Sequence, residues 1–260
     1  MPVPPVISFD QVGKSFDGLR TLEDVSFAVA EREFLAILGP SGAGKTTLLR
    51  LINGLAEPSE GIVRVEGEDV RRADPIGLRR RIGYVFQNIG LFPHMTVAEN
   101  IAITPWLLGW DAAARAARVD ELIDLVRLDR ARHRARFPHQ LSGGERQRVG
   151  IARALAARPR IVLMDEPFGA LDPLTRDALS RDFRALHDAL GLTTVMITHD
   201  ALEAVLLADR IIVVRGGKLI ADAPPRALLG GDTDPYVREL MQTPRRQAER
   251  LSALLPRGRS

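Results

Sequence analysis

The chain has 260 residues, 27% of them charged and 45% hydrophobic, which gives room for one large α/β domain with a subdomain and excludes a compositionally disordered protein. It has no cysteine, so disulfides and thiol chemistry are excluded and a cytosolic setting fits; a net charge of +3 with interspersed signs gives little support to a nucleic-acid partner. No basic start with an apolar core and no run of about 18 apolar residues occurs, so neither a secretory leader nor a membrane span is expected.

In chain order, residues 7–16, 25–30 and 61–65 cluster β-formers between turn signals such as Asp17-Gly18 and Glu66-Gly67, predicting an antiparallel layer. Residues 34–38 form a short apolar run, and then comes Gly39-Pro40-Ser41-Gly42-Ala43-Gly44-Lys45-Thr46, followed by Thr47 and a helical stretch. This is a complete GxxxxGK[ST] phosphate loop between strand and helix, the setting in which the motif binds a nucleoside triphosphate. The glycines let backbone N–H groups face the phosphates, the helix start adds positive potential, Lys45 reaches the β/γ oxygens, and Thr46 can ligate Mg2+. The choice of lysine is itself informative, because the chain has only Lys14, Lys45 and Lys218 and uses arginine elsewhere.

Residues 82–86, 161–164, 194–198 and 210–214 are further short apolar runs, read with 34–38 as buried parallel strands. Between about residues 88 and 157 strand signals give way to helix signals: Thr96-x-x-Glu99 is a capping box, and residues 112–126 repeat apolar side chains at helical spacing. Segments 235–241 and 245–255 are predicted as two further helices, the second rich in arginine. The expected division is an ATPase domain over 1–232, with core segments 1–87 and 158–232 around a helical subdomain at 88–157, and a short basic helical extension over 233–260.

Downstream lie the groups that could do chemistry. Leu141-Ser142-Gly143-Gly144-Glu145 opens a helical run, residues 161–164 lead into Asp165 and Glu166, Gly169-Ala170-Leu171-Asp172 follows, and His199 ends the next strand. Asp165 can hold Mg2+ through water, and Glu166 can orient and activate an attacking water. Ser142 with Glu145 is a capping box, which accounts for the hydroxyl without a ligand; the two glycines after it suit a backbone that another molecule approaches closely.

In this order and spacing the motifs resemble the ATP-binding-cassette ATPases, over residues 7 to about 230. The resemblance implies a P-loop NTPase (RecA-like) core with an antiparallel β layer and an inserted helical subdomain. It implies that Ser142 and Gly144 contact a γ-phosphate held by a second subunit, that Gln87 senses Mg2+ and water, that His199 meets the γ-phosphate, and that adenine stacks on Phe16. Arg32 departs from the pattern, standing where many relatives have a turn glycine. One chain then carries half of each of two composite sites, so a homodimer is expected, closing on ATP and opening after hydrolysis.

Because no membrane span is found, the resemblance implies separate permease subunits, with the chain on the cytoplasmic side of the membrane. The apolar segment 88–95 is a candidate for facing a permease helix or for packing within the subdomain, and Trp106 and Trp110 for lining the same groove or filling the core. The wording of residues 81–97, of Leu107-Leu108-Gly109-Trp110 and of Asp172-Pro173-Leu174-Thr175-Arg176-Asp177 looks like the ATPases of importers for glycine betaine, choline and related osmoprotectants, which work with an extracytoplasmic binding protein. The paired regulatory domains that many such relatives add are not among these 260 residues, so the resemblance does not carry ionic-strength sensing by that route over to this sequence. An ATPase for a lipid or efflux system is the alternative within the family. A soluble cassette acting on DNA or ribosomes is the alternative outside transport, with neither long coiled coils nor a second cassette to support it.

Overall fold

The computed structural model describes residues 4–231 and 234–254; Met1–Val3, the expected boundary at 232–233 and residues 255–260 of the extension lie outside the described residues. The chain opens with a hairpin, β1 (Ile7–Phe16) and β2 (Leu19–Val29), then β3 (Phe34–Leu38) runs through the phosphate loop into α1 (Lys45–Ile52). β4 (Glu60–Val65) and the two-residue β5 (Glu68–Asp69) precede α2 (Pro75–Arg81) and β6 (Ile82–Val85). Helices α3 (Val97–Leu107), α4 (Ala112–Leu125), α5 (Arg130–His133) and α6 (Gly143–Leu155) follow without an intervening strand. The chain continues through β7 (Ile161–Asp165), α7 (Pro173–Leu190), β8 (Thr193–Ile197), α8 (Ala201–Leu207), β9 (Arg210–Arg215), β10 (Lys218–Ala223), α9 (Pro225–Leu229) and α10 (Pro235–Leu254).

Two sheets result. One is antiparallel, in the order β2-β1-β4-β5; the other runs β10-β9-β3-β8-β7-β6. In the second, β9, β3, β8, β7 and β6 pair in parallel, which is why their sequences are unbroken apolar runs: both faces are covered. Successive side chains of a strand point to opposite faces. Phe34, Ala36 and Leu38 accordingly join the core made with α3, α4, α6, α7 and α8, while Leu35 and Ile37 join the core shared with α1 and the antiparallel sheet. The phosphate-loop helix and the helix behind Ser142 therefore lie on opposite faces of the same sheet.

The turn before β3 absorbs Arg32 in a left-handed conformation, φ 63°, where glycine is the easier residue. Its N–H donates to Thr193 Oγ1 at 2.9 Å, which ties the turn to β8. In the helical segment the Thr96/Glu99 capping box forms as expected, with Glu99 N–H donating to Thr96 Oγ1 and Thr96 N–H to Glu99 Oε2. Buried Asn100 fixes the preceding loop, accepting from Phe92 N–H and donating to the carbonyls of Phe92, Met95 and Thr96. Arg118 of α4, also buried, donates to the Leu155 and Ala156 carbonyls and so caps the C-terminal end of α6.

Three features differ from the sequence expectation. β10 pairs antiparallel on the sheet edge, where its half-exposed residues blur the apolar signal; β5 is too short to have one. The two C-terminal helices are one, α10, which carries Pro244 inside it. Proline removes one donor, and the segment before it is held independently: Val237 and Met241 are buried with Ala204, Leu207 and Leu228 of α8 and α9.

Candidate active site

All strands of the parallel set end on the same side, so the segments after β3, β6, β7 and β8 converge, as ligand-binding segments do at the carboxyl ends of open α/β sheets. A cavity of 480 Å3 there is lined by the phosphate loop from Ser41 to Thr47 together with Thr21, Gln87, Glu166 and His199. A cleft of 440 Å3 at the opposite end of the strands, beside Arg32 and Arg160, holds none of these residues.

The phosphate loop has the form the motif requires. Gly44 is the N-cap of α1 with φ 98°, and a Cβ there would come within 2.7 Å of Leu22 Cδ2, so both the turn and the packing exclude a side chain. No side chain caps α1 and no acid stands in its first turn, which leaves its N-terminal amides and positive potential directed at the cavity. Lys45 folds back over the loop, Nζ donating to the carbonyls of Gly39 at 2.8 Å and Pro40 at 2.9 Å. Burial lowers the pKa of this ammonium, and the charges of Glu166 and Asp165 oppose the shift.

Asp165 ends β7 beneath the loop, buried, with Thr46 Oγ1 3.4 Å from its Oδ1. Burial raises its pKa, while the Thr46 hydrogen bond and the charges of Arg50 and Lys45 act in the opposite direction. Glu166 follows in a left-handed conformation, φ 45°, its N–H donating to the Ile197 carbonyl at 3.0 Å. Gln87 Nε2 donates to Glu166 Oε2 at 3.0 Å, and His199 Nδ1 lies 3.3 Å from the same oxygen. Residues from three separate strand ends thus meet on one carboxylate oxygen. Thr46, Asp165 and Gln87 offer oxygen donors including one carboxylate, a set that suits a hard divalent cation whose remaining ligands are phosphate and water.

Ser142, Gly144 and their neighbours lie elsewhere, lining a second cavity of 480 Å3 with Asp172 and Thr175. Ser142 is the N-cap of α6: its Oγ accepts from Glu145 N–H at 3.2 Å, and its N–H donates to Glu145 Oε2 at 2.7 Å. That bond, with His133 Nε2 at 2.9 Å, holds the Glu145 carboxyl down at about 2. Gly144 has a reason to be glycine within its own chain, since a Cβ would meet Thr175 Cγ2 at 2.6 Å; close approach by another molecule is not needed to account for it. Phe16, at the exposed end of β1, is not among the residues lining either cavity; its ring carries the Lys14 ammonium at 4.6 Å.

Several residues that the sequence reading passed over support the site. Arg176 of α7 donates to the carbonyls of Phe168, Gly169 and Leu171 and reaches Asp200 at 3.8 Å, bracing the loop after Glu166 against the segment after His199. Glu203, one turn into α8, is pushed up to about 7 by burial, despite a Thr198 hydrogen bond. Arg153 is flanked by Ile151, Ala152, Ala154 and Leu155 in the sequence; a cation in such a run must find a partner inside the fold, and that was the available signal. Trp106 is 57% exposed and Trp110 lies under the Arg158 guanidinium, so neither fills the core. Segment 88–95 borders a groove of 410 Å3 lined by Tyr84, Phe86, Phe92, Leu107 and Arg153.

Comparison with known proteins places these geometries. The sequence profile of the ABC transporter family matches residues 22–169. A choline transport ATP-binding protein of Bacillus subtilis is 45% identical over 237 residues, covering 91% of this chain, and the chain spans only 62% of that relative's length. A sulfate/thiosulfate import ATP-binding protein of Caulobacter vibrioides is 46% identical over 237 residues, covering 86% of this chain and 69% of its own. Among solved structures, a dimeric ATP-binding cassette in a post-hydrolysis state, bound to ADP and Pi, superposes with a TM-score of 0.75 at 34% identity, covering 85% of this chain and 99% of that one.

Proposed function

This chain belongs to the ABC transporter family, and on that premise we propose that it is the ATP-hydrolysing subunit of an importer, working as a homodimer and driving separate membrane-embedded permease subunits. The observation that carries the reading is the meeting of Gln87, Glu166 and His199 across one cavity from Lys45. The phosphate-loop amides and Lys45 hold the β- and γ-phosphates, and Phe16 takes the adenine. Thr46, Asp165 and Gln87 would hold Mg2+, which would supply neutralisation of the phosphate charge.

Glu166 accepts the proton of a water as the water oxygen bonds to the γ-phosphorus; the bond from that phosphorus to the β-bridging oxygen breaks, and ADP leaves with inorganic phosphate. Gln87 and His199 orient the base, and His199 faces the γ-phosphate. Ser142 and Gly144, on the other face of the sheet, complete the site of the second subunit. The Ser142 hydroxyl has one donor and two acceptor sites, so it can accept from Glu145 N–H and still donate to a phosphate oxygen.

Among the described residues no helix is long and apolar enough to cross a membrane, and the groove beside Phe86, Phe92 and Leu107 supports a permease contact. Cargo of the choline and glycine betaine kind is supported by the wording of residues 81–97 and by the choline transport relative; the sulfate/thiosulfate relative makes an oxyanion the competing cargo. An extracytoplasmic binding protein belongs to this reading.

The Glu166→Gln variant tests the chemistry. Its amide keeps the shape and loses the basicity, so ATP binding should persist while turnover falls by roughly 10²- to 10⁴-fold. Turnover near the wild-type rate would remove Glu166 from the role of base.

A further inference from the structure

Where the segment after Gln87 crosses from β6 toward α3, it makes a tight turn in which Ile89 and Gly90 both take left-handed conformations, φ 58° each. For a β-branched side chain this is a costly backbone state that persists only where surrounding contacts impose it. The contacts come from Arg153, in the last turn of α6. Its Nη1 donates to the Gly90 carbonyl at 2.6 Å and its Nη2 to the Ile89 carbonyl at 2.8 Å. The guanidinium carbon lies 6.0 Å from the ring centre of Phe86 and 5.9 Å from that of Phe92, the aromatics at the two ends of the turn. Arg153 is 9% exposed, and among the described residues it has no carboxylate at ion-pair distance; burial lowers its pKa. A desolvated cation is costly unless its donors are used, and here they are used on the two carbonyls of the strained turn. Gly150, one turn earlier, lets the same helix close on the turn, since a Cβ there would stand 3.2 Å from Ile89 Cγ2.

We propose that Arg153 is a positioning residue that clamps the Ile89-Gly90 turn and thereby sets the reach of Gln87 to Glu166. Its place on α6 gives the clamp a second consequence. Ser142 caps the other end of that helix, roughly 17 Å away at 1.5 Å per residue. A displacement of α6 at its Ser142 end is passed through Arg153 to Gln87 of the same chain, which links the phosphate site that a subunit completes in its partner to the one it holds itself. This linkage rests on the proposed ATPase reading; the clamp on the turn does not.

Two measurements separate them. Amide hydrogen exchange of Arg153→Gln without nucleotide should be faster than wild type in the peptide covering 86–92 and unchanged in β3 and β8; unchanged exchange across 86–92 overturns the clamp whether or not the protein hydrolyses ATP. In steady-state kinetics Arg153→Gln should lower kcat about tenfold with KM for ATP changed less than about twofold, and adding it to Gln87→Ala should cost nothing further, because both changes remove one action. Multiplied losses in the double variant would overturn the route through Gln87. Should Arg153→Gln fail to fold, Arg153→Lys keeps the charge and loses the fork, and Ile89→Gly in that background should restore turnover, since glycine adopts the turn without a clamp. Absence of rescue counts against the proposal. A wild-type protein without ATPase activity would sink the hydrolase reading and leave the exchange result to decide the clamp.

Discussion

Helices α1 and α6 both begin next to glycines and both border a cavity of 480 Å3, yet their N-termini are finished in opposite ways. No side chain caps α1, and its first turn holds no acid; α6 is closed by Ser142 and Glu145, each satisfying a backbone donor of the other. A helix start has four amides without intrahelical partners, and whatever satisfies them decides what the terminus can bind. The open terminus of α1 can take several phosphate oxygens on backbone N–H groups. The closed terminus of α6 can offer one hydroxyl and the approach of its backbone. The first suits holding a nucleotide within one subunit, the second reading a single phosphate group that another subunit presents.

The largest expected effect comes from placing a charge at the closed end. Ser142→Asp keeps a good N-cap, so the melting temperature should stay at the wild-type value. In the Glu166→Gln background, ATP-driven dimerisation followed by size-exclusion chromatography should be lost, because like charges brought together at an interface cost several kcal/mol. A variant that still dimerises on ATP would reduce Ser142 to a cap and break the contrast between the two helices.

At the open end, Lys45→Ala removes what is, among the described residues lining that cavity, the single lysine or arginine. Affinity for a fluorescent ATP analogue should fall about 100-fold, in line with losing a charge-assisted contact in a water-poor site. Unchanged affinity would mean that the amides of α1 act alone or that the nucleotide binds elsewhere.

A third helix start at the site, α8, sharpens the comparison through pH. Asp200 caps it, and Glu203 sits one turn in, near Thr198, Arg176 and His199, with its pKa raised by burial from 4.5 to about 7. A carboxyl with a raised folded-state pKa stabilises the fold below about pH 4.5, and that contribution is lost as pH rises through about 7. Glu203→Gln should therefore melt above wild type at about pH 8, by about 2 kcal/mol in stability, and converge with it near pH 4.5. Parallel pH profiles for the two proteins would show that Glu203 is solvated in the working protein.

The smallest effect belongs to the closure of α6 itself. Glu145 has its pKa depressed, so its contribution is full above about 4.5 and fades as pH falls toward about 2. Glu145→Ala should cost about 1 kcal/mol near neutrality, the usual worth of a cap, and lose its difference from wild type in acid. Chemical denaturation at both pH values checks it.

The parts of the molecule that were legible in the sequence are those where local chemistry and fold agree. The unbroken apolar run Phe34–Leu38, the phosphate loop after it and the capping box at Thr96 were readable because each needs only its own neighbours to be satisfied. β10 escaped because an edge strand with half-exposed residues has no clear period, and α10 because Pro244 is a local stop signal that burial of Val237 and Met241 does not obey. In the site, the residue types of the phosphate loop, Asp165, Glu166 and His199 were legible, whereas their meeting point was not: Gln87 and Glu166 are brought together by the pairing of β6 with β7. Gly144 shows a constraint that the sequence did not reveal: whatever it does for a ligand, Thr175 in its own chain already leaves no room for a side chain. The apolar run around Arg153 signals a buried partner, but which partner stayed hidden for it and for Arg176, because both donate to main-chain carbonyls that leave no trace in the spelling of a sequence.

The backbone at Glu166 adds an evolutionary constraint. A non-glycine residue at φ 45° sits in a conformation that glycine and asparagine adopt more easily, and the adopted state costs on the order of 1 kcal/mol. Drift under selection for folding alone would therefore carry this position toward glycine or asparagine and away from a carboxylate. On the proposed role of Glu166 as base, the glutamate persists only under selection for turnover, and its loss from this position would mark a subunit that still folds and has stopped hydrolysing nucleotide.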